Sequence, residues 1–422
     1  MTGKRIIWVV SVCAIVIIAV GCSIFLPNCQ YKSAQNALNG LVPQRNIGAF
    51  VKESIISHDM ERDAANTLLH IGQQITGTSD DPNYFLPISG TVSDFTSNPE
   101  IQAKTRKTVE KNQQYINKLK KIYEERIGIQ NILTHDDIEN FNLSIGKIMN
   151  LYCDRMALAI LAHDKENASN ILNESYYFLK ITSFPVYFTQ LSKFNTALTV
   201  WLVNIYGSYI NHYELTEQEI NAFAGILQNL KVIVNDSFQF ALIGECLFLD
   251  EQLSTGSSRI YWRIDRYDDY FHTLKELPQN YWELAEQIFN IATTISKQYS
   301  NFNNYYSFKD SVQTTERELR DSAPFVQKYC QLFWVHYKSE LSIYTQLKCS
   351  IVELYILKYW KARKYLPQTL TELSEVGLEK EALIDPLTGQ YFSLKIDERK
   401  DSFQVLHNGR NWGKAIHLPK GR

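Results

Sequence analysis

TEQEINAFAGILQNLKVI, residues 216–233, decides the fold. Ile220, Phe223, Ile226, Leu227, Leu230 and Ile233 recur at three- and four-residue spacing, which lines one side of an α-helix and neither face of a strand. Thr216 and Glu219 head the run three residues apart, the spacing at which a hydroxyl and a carboxylate each satisfy a free amide at a helix start. A stripe this wide is packing surface for a core helix.

The same periodicity spreads outward. Segments 135–164, 166–182, 185–210 and 236–253 carry it on either side, which predicts a body of packed helices. Asn280 and Glu283 open a further helix to about Tyr299, and a very long pattern runs from Pro324 to Lys364 with proline at its first turn. On the N-terminal side, helices are expected over Asp59–Ile75 and Glu100–Arg126, with a Gly, Pro, Ser and Asp-rich loop at 76–100 between them. Eleven Pro and 18 Gly in 422 residues are too few for a turn-rich β-sandwich. The 45% apolar content is enough for a large core, so the class is mainly α.

The first residues carry a different signal. Lys4 and Arg5 precede Ile6–Leu26, 21 residues without a charge, and Pro27 closes the run. About 20 apolar residues match a bilayer core as a helix and exceed the 7–15 residues of a cleavable signal core. The basic pair belongs on the cytoplasmic side, which predicts a single-pass inner-membrane anchor with the body on the periplasmic, extracytoplasmic side. Ala19-Val20-Gly21-Cys22 also resembles a lipobox without its usual Leu, so lipidation of Cys22 and simple cleavage stay open beside the uncleaved anchor. The expected organisation is an anchor at 1–27, a stalk and N-terminal helical region at 28–133, a helical body at 134–310, and a long helix with a small hairpin at 311–422. Asn28 to Gly48 is read as the polar stalk.

Composition narrows the partners. Forty-three basic against 45 acidic residues leave a net charge of −2, and no overall field recruits nucleic acid. Arg259, Arg263 and Arg266 alternate with aromatic residues in RIYWRIDRYDDYF, 259–271, yet Asp265, Asp268 and Asp269 cancel them. Besides Cys13, Cys22 and Cys29 near the anchor, Cys153, Cys246, Cys330 and Cys349 are scattered in apolar helical contexts without a C-x-x-C pair. That argues against zinc and for four thiols packed in the core. No metal or cofactor is expected.

None of the usual catalytic signatures is present: G-x-S-x-G, H-E-x-x-H, the phosphate-binding loop and G-x-G-x-x-G are all missing. One charge stands out. Glu245 is the only charge in FQFALIGECLFL, 238–249, and Arg155 sits in the comparably apolar LYCDRMALAIL. A carboxylate buried alone is costly, so the two are expected to pair. The alternative makes Glu245 a general acid in a pocket.

The C-terminus adds a turn and a hairpin. In Asp385-Pro386-Leu387-Thr388-Gly389 the Asp can accept from the backbone ahead, Pro fixes its φ and Gly can take a positive one. Phe392, Leu394 and Ile396, then Phe403 and Val405, alternate with polar residues as two strands do. The long helix is the natural cover for their apolar face.

YWKARKYLPQTLTELSEVGLEKEALIDPLTGQYFSLKI, residues 359–396, resembles the segment of type II secretion pseudopilins that runs from a long helix into a D-P-W-G-x-P-Y stretch. It is more similar to a group of exported, uncharacterised bacterial proteins, common in planctomycete-like bacteria, with a membrane anchor, a helical middle and a C-terminal Y-P-x-S-L-x-x-L followed by D-P-F-T-G. Tyr365-Leu366-Pro367-Gln368-Thr369-Leu370 and Asp385–Gly389 carry the likeness. Two departures matter. Residues 407–422 contain no acid, unlike the calcium-holding end of a pseudopilin, and the long helix is remote from the anchor. The resemblance thus implies a borrowed C-terminal module and not a pilus subunit. The functional expectation is a membrane-anchored helical scaffold or protein-interaction module with a protein partner. The alternatives are an exported, hydrolase-like enzyme with a dispersed active site, or a component of a pilus-like secretion assembly.

Overall fold

A computed structural model describes residues 31–41, 65–76, 95, 98–125, 135–183, 188–255, 281–299, 305–318, 320, 324–399, 401–407, 410–411 and 415–418. The anchor 6–26, Cys22, most of the 76–100 loop and the 259–271 segment lie outside the described residues.

The described protein is mainly helical. Helix α1 covers 31–41, α2 Ala65–Gln74, α3 Pro99–Lys111, α4 Gln113–Glu124, α5 His135–Leu161 and α6 Lys165–Thr182. Helix α7, Phe188–Val200, continues through a π-helical turn, Trp201–Tyr206, into α8, Gly207–His212. Then come α9 (Glu217–Thr255), α10 (Tyr281–Tyr299), α11 (Tyr305–Glu318) and α12 (Pro324–Arg363). Two 3-10 turns, Leu370–Val376 and Lys380–Leu383, lead to strands β1 (Ser393–Ile396), β2 (Ser402–His407), β3 (Arg410–Asn411) and β4 (Ile416–His417).

Contacts divide the chain into two compact units. Among the described residues, one comprises those at 31–41, 242–299 and 308–334; the other comprises those at 65–241, 305–307 and 335–418. Helices α9 and α12 each contribute residues to both units.

Several elements differ from the sequence reading. Part of the expected stalk, 31–41, is helical, with Ala34 and Leu38 buried. The 217–234 and 236–253 segments form one helix, since Asn235-Asp236 holds neither Pro nor Gly to stop it. Residues 305–318, between the two helices that the sequence marks, are also helical. The 100–126 helix breaks at Asn112, whose buried amide donates to Thr76 O (2.8 Å) and Thr108 O (2.8 Å) and accepts from Thr76 N (3.1 Å). That side chain offers the backbone an alternative to continuing the helix and ties α2 to the α3–α4 joint.

In the first unit α1 is fastened by Ser33 Oγ donating to Glu286 Oε1 of α10 (2.6 Å) and by a hydrogen bond from Gln35 to Asp250. Ile288, Phe289, Ala292, Val326, Cys330 and Phe333 fill its interior.

The second unit holds the larger core. Helix α2 lies so close to α5 that a Cβ on Gly72 would sit 2.1 Å from the Cβ of Ser144, and only glycine fits there. Helices α5 and α6 form a hairpin. His163, at φ 55, turns the chain after α5, and Asp164 caps α6 by accepting from Asn167 N (3.0 Å). Thr216 and Glu219 cap α9 reciprocally, at 2.7 and 3.1 Å, as their spacing predicts.

The expected hairpin pairs antiparallel with Ile396 opposite Phe403 and Leu394 opposite Val405. Strands β3 and β4, which no sequence signal marked, also pair with β2 and make a four-stranded sheet. Phe392, Phe403, Val405 and Ile416 share one core with Ile351, Val352, Leu354 and Ile356 of α12. The long helix therefore covers the sheet, and the C-terminal module is part of the second unit.

Candidate functional site

Three places in the second unit gather buried ionisable groups. They differ in how those groups are answered.

The first is the α5–α6 hairpin. Arg155 Nη1 donates to Glu174 Oε2 at 2.6 Å, with both side chains almost withdrawn from solvent, and the guanidinium lies 5.4 Å from the Tyr152 ring centre. The expected pairing of Arg155 with Glu245 is corrected by this bond. The nearest acid to Arg155 comes from across its own hairpin, whereas Glu245 is a buried residue of the other unit. Beside the pair, Trp201 Nε1 donates to Ser175 Oγ (2.9 Å), so the indole is satisfied too.

The second place is the seam between α12 and the C-terminal module. Gly389 has φ 67 and its amide donates to Asp385 O (2.8 Å), which makes residues 385–389 the turn that the sequence predicts. Pro386 follows the Asp inside it. The buried Asp385 carboxylate accepts from Leu387 N (2.8 Å) and Thr388 Oγ1 (2.7 Å), and its Oδ2 also pairs with His407 Nδ1 at the end of β2. Lys348 of α12 donates to the carbonyls of Glu381 (3.0 Å) and Ile384 (2.6 Å). Burial, with Lys231 adding like charge, lowers the Lys348 ammonium to about 8. Asp385 and His407 thus tie the turn to β2 within the module, and Lys348 fastens the module to the helix.

The third place is a cavity of about 60 Å³ beside the π-helical turn, lined by Leu202, Val203, Tyr206, Gly207, Ile210 and Asn211 from that wall. Gln346, Cys349, Ser350 and Glu353 of α12 and Ile416 of β4 close it. A π turn adds a residue to the helix and rotates the side chains around it, and such turns recur at binding sites. Here Tyr206 of the turn and Asn211 of the following helix α8 line the same cavity.

Polar atoms converge there without partners. The Tyr206 hydroxyl, Asn211 Oδ1 and Gln346 Oε1 are buried and make no hydrogen bond. Glu353 is 8% exposed, and no hydrogen bond reaches its carboxyl among the described residues. Burial pushes that carboxyl up to about 8. Burial, reinforced by Glu353, raises the Tyr206 phenol well above its usual value, and burial does the same for the Cys349 thiol. At neutral pH the cavity therefore presents a neutral acid, a phenol and two amide oxygens.

A second buried acid on α12, Glu340, also rises to about 8 through burial, but it accepts a hydrogen bond from Asn195. Four residues before it, His336 stacks on Phe188 with ring centres 4.4 Å apart, and burial lowers it to about 4. Thirteen residues along a helix are roughly 20 Å, so Glu340 and Glu353 serve separate places.

Of the residues that the sequence singled out, Asp385, Pro386 and Gly389 lie together in the turn, while Arg155 and Glu245 are apart in partnership. Tyr206, Asn211, Gln346 and Glu353 were missed. Glu353 had a signal, as the only charge in SIVELYIL, 350–357, the same pattern that drew attention to Glu245. Cys153, Cys246, Cys330 and Cys349 are free and buried, as their apolar contexts predict. Among the described residues no three His, Cys, Asp or Glu side chains gather as a metal site.

One described helical stretch, Glu217–Asp250, is long and apolar enough to cross a membrane, and more than half of its most apolar window is buried inside the protein. Comparison with family models, with curated proteins and with solved structures gave no match.

Proposed function

We propose that this chain is a membrane-anchored, extracytoplasmic scaffold whose helical body presents a protein-interaction surface. The anchor is assigned to Ile6–Leu26 behind Lys4 and Arg5, and the C-terminal module is of the pseudopilin-like kind borrowed by exported proteins. The observation that supports the scaffold part is the use of buried charge inside the packing itself. Arg155 is taken by Glu174, Lys348 by two carbonyls, and Asp385 by its own turn and His407. Charges spent this way hold helices and module together.

Two measurements test it. Protease added to spheroplasts digests the 28–422 body if the assignment is right; full protection contradicts it. Crosslinking in intact membranes captures a defined protein partner on the extracytoplasmic side; a chain that stays alone there contradicts the scaffold role. An exported enzyme is the second reading. It is favoured by the convergence of Tyr206, Asn211, Gln346 and Glu353 on one cavity, the arrangement from which acid–base sites are built.

A further inference from the structure

The cavity beside the π turn goes beyond the scaffold reading and stands independently of it. Three of its buried oxygens make no hydrogen bond among the described residues. Two are amide oxygens, Asn211 Oδ1 and Gln346 Oε1, which cannot donate. The third is the Tyr206 hydroxyl; the Glu353 carboxyl lines the same cavity and becomes a pure acceptor once ionised. Among the described residues, no Lys, Arg or His lines the cavity. Buried oxygens left without donors cost free energy comparable to lost hydrogen bonds, so a guest that brings several N–H donors answers them.

We propose that this cavity binds a small ammonium group, the NH3+ head of a short primary amine, held by Glu353, Asn211, Gln346 and Tyr206. An ammonium head donates three hydrogen bonds and accepts none. The volume of about 60 Å³ exceeds what one water requires and falls short of a drug-sized site, which fits an ammonium head with one or two carbons. Leu202, Ile210 and Ile416 supply the apolar wall for those carbons.

Charge completes the match. Without a guest, burial keeps Glu353 protonated to about pH 8. An arriving cation stabilises the carboxylate, so binding below pH 8 releases the Glu353 proton and affinity climbs with pH by up to about tenfold per unit. The other titratable groups facing it, Tyr206 from the π turn and Cys349 from α12, hold their protons across that range because burial raises both. Ile416, from β4, carries no charge.

The test is a titration of the full-length protein in detergent with 13C-methylammonium, followed by the ligand's NMR line width at pH 6, 7 and 8. Saturable binding in the millimolar range is expected, close to the ceiling for a ligand of two heavy atoms. It strengthens from pH 6 to 8, resists tetramethylammonium, which has no N–H to donate, and resists KCl at equal concentration. Glu353→Gln weakens it at least tenfold at pH 8, and Tyr206→Phe weakens it severalfold. Absence of saturable binding overturns the proposal and leaves the cavity to water. Equal competition by KCl overturns it in favour of an oxygen-lined alkali-ion site. Should Glu353→Gln fail to fold, Tyr206→Phe decides, and unchanged affinity in that variant overturns the proposal.

Discussion

Glu174 and Glu353 lie in the same unit at similar burial and lead opposite lives. Glu174 faces a guanidinium at 2.6 Å across a helix hairpin, a contact that holds α5 against α6. Glu353 faces a phenol, two amide oxygens and apolar side chains, so it keeps a proton instead. The difference is in the neighbours and not in depth. A buried acid with a cationic partner is a strut; a buried acid without one is unspent binding capacity.

The comparison can be broken from the strut side first. Replacing Arg155 with Ala strands the Glu174 carboxylate in the core, and chemical denaturation is expected to show a loss of about 3–5 kcal/mol. A loss below about 1 kcal/mol would mean that the pair is no strut.

The seam offers a second strut. Gly389→Val forces a β-branched residue to φ 67 at the turn that carries the Asp385 carboxylate, with an expected cost of roughly 1–3 kcal/mol. Hydrogen exchange should show the loss confined to β1, β2 and the 385–389 turn.

Glu353 predicts a pH signature instead of a large loss. Its folded value is raised to about 8, so the folded state holds a proton that the unfolded state releases above its ordinary value near 4.3. The contribution is fully present below that value and is lost as pH rises to about 8, at about 1.4 kcal/mol per pH unit. Glu353→Gln is expected to be nearly neutral at pH 5 and to remove one proton's worth of this slope in urea titrations between pH 5 and 8. Glu340 keeps its own share of the slope. An unchanged slope in the variant contradicts the assignment.

The smallest effect sharpens the frame around the strut. His163 holds a left-handed conformation at the α5–α6 turn, so His163→Gly is expected to gain up to about 1 kcal/mol in thermal denaturation.

These contrasts also show what a single sequence could reveal. The helices were legible because apolar spacing and caps are local: Thr216 with Glu219, Pro324, and the Asp385–Gly389 turn all behave as their residue types require. Asn112 was not, since its helix-breaking role depends on Thr76, 36 residues away. Strands β3 and β4 are two residues each, too short for alternation to register. The partner of Arg155 was misassigned because helical periodicity tells which residues face inward and not which helix they meet. The cavity escaped for the same reason. Its residues come from the π turn, α8, α12 and β4, and the π turn has no mark in the sequence.

The account rests most on Glu353 being a neutral acid at physiological pH. Carboxyl 13C NMR of glutamate-labelled full-length protein, with Glu353→Gln for assignment, measures this directly. A resonance absent from the variant and titrating near pH 8 is the predicted result. A midpoint between pH 4 and 5 would show an ionised, already answered carboxylate, and would remove both the contrast with Glu174 and the reason for a cation to enter the cavity.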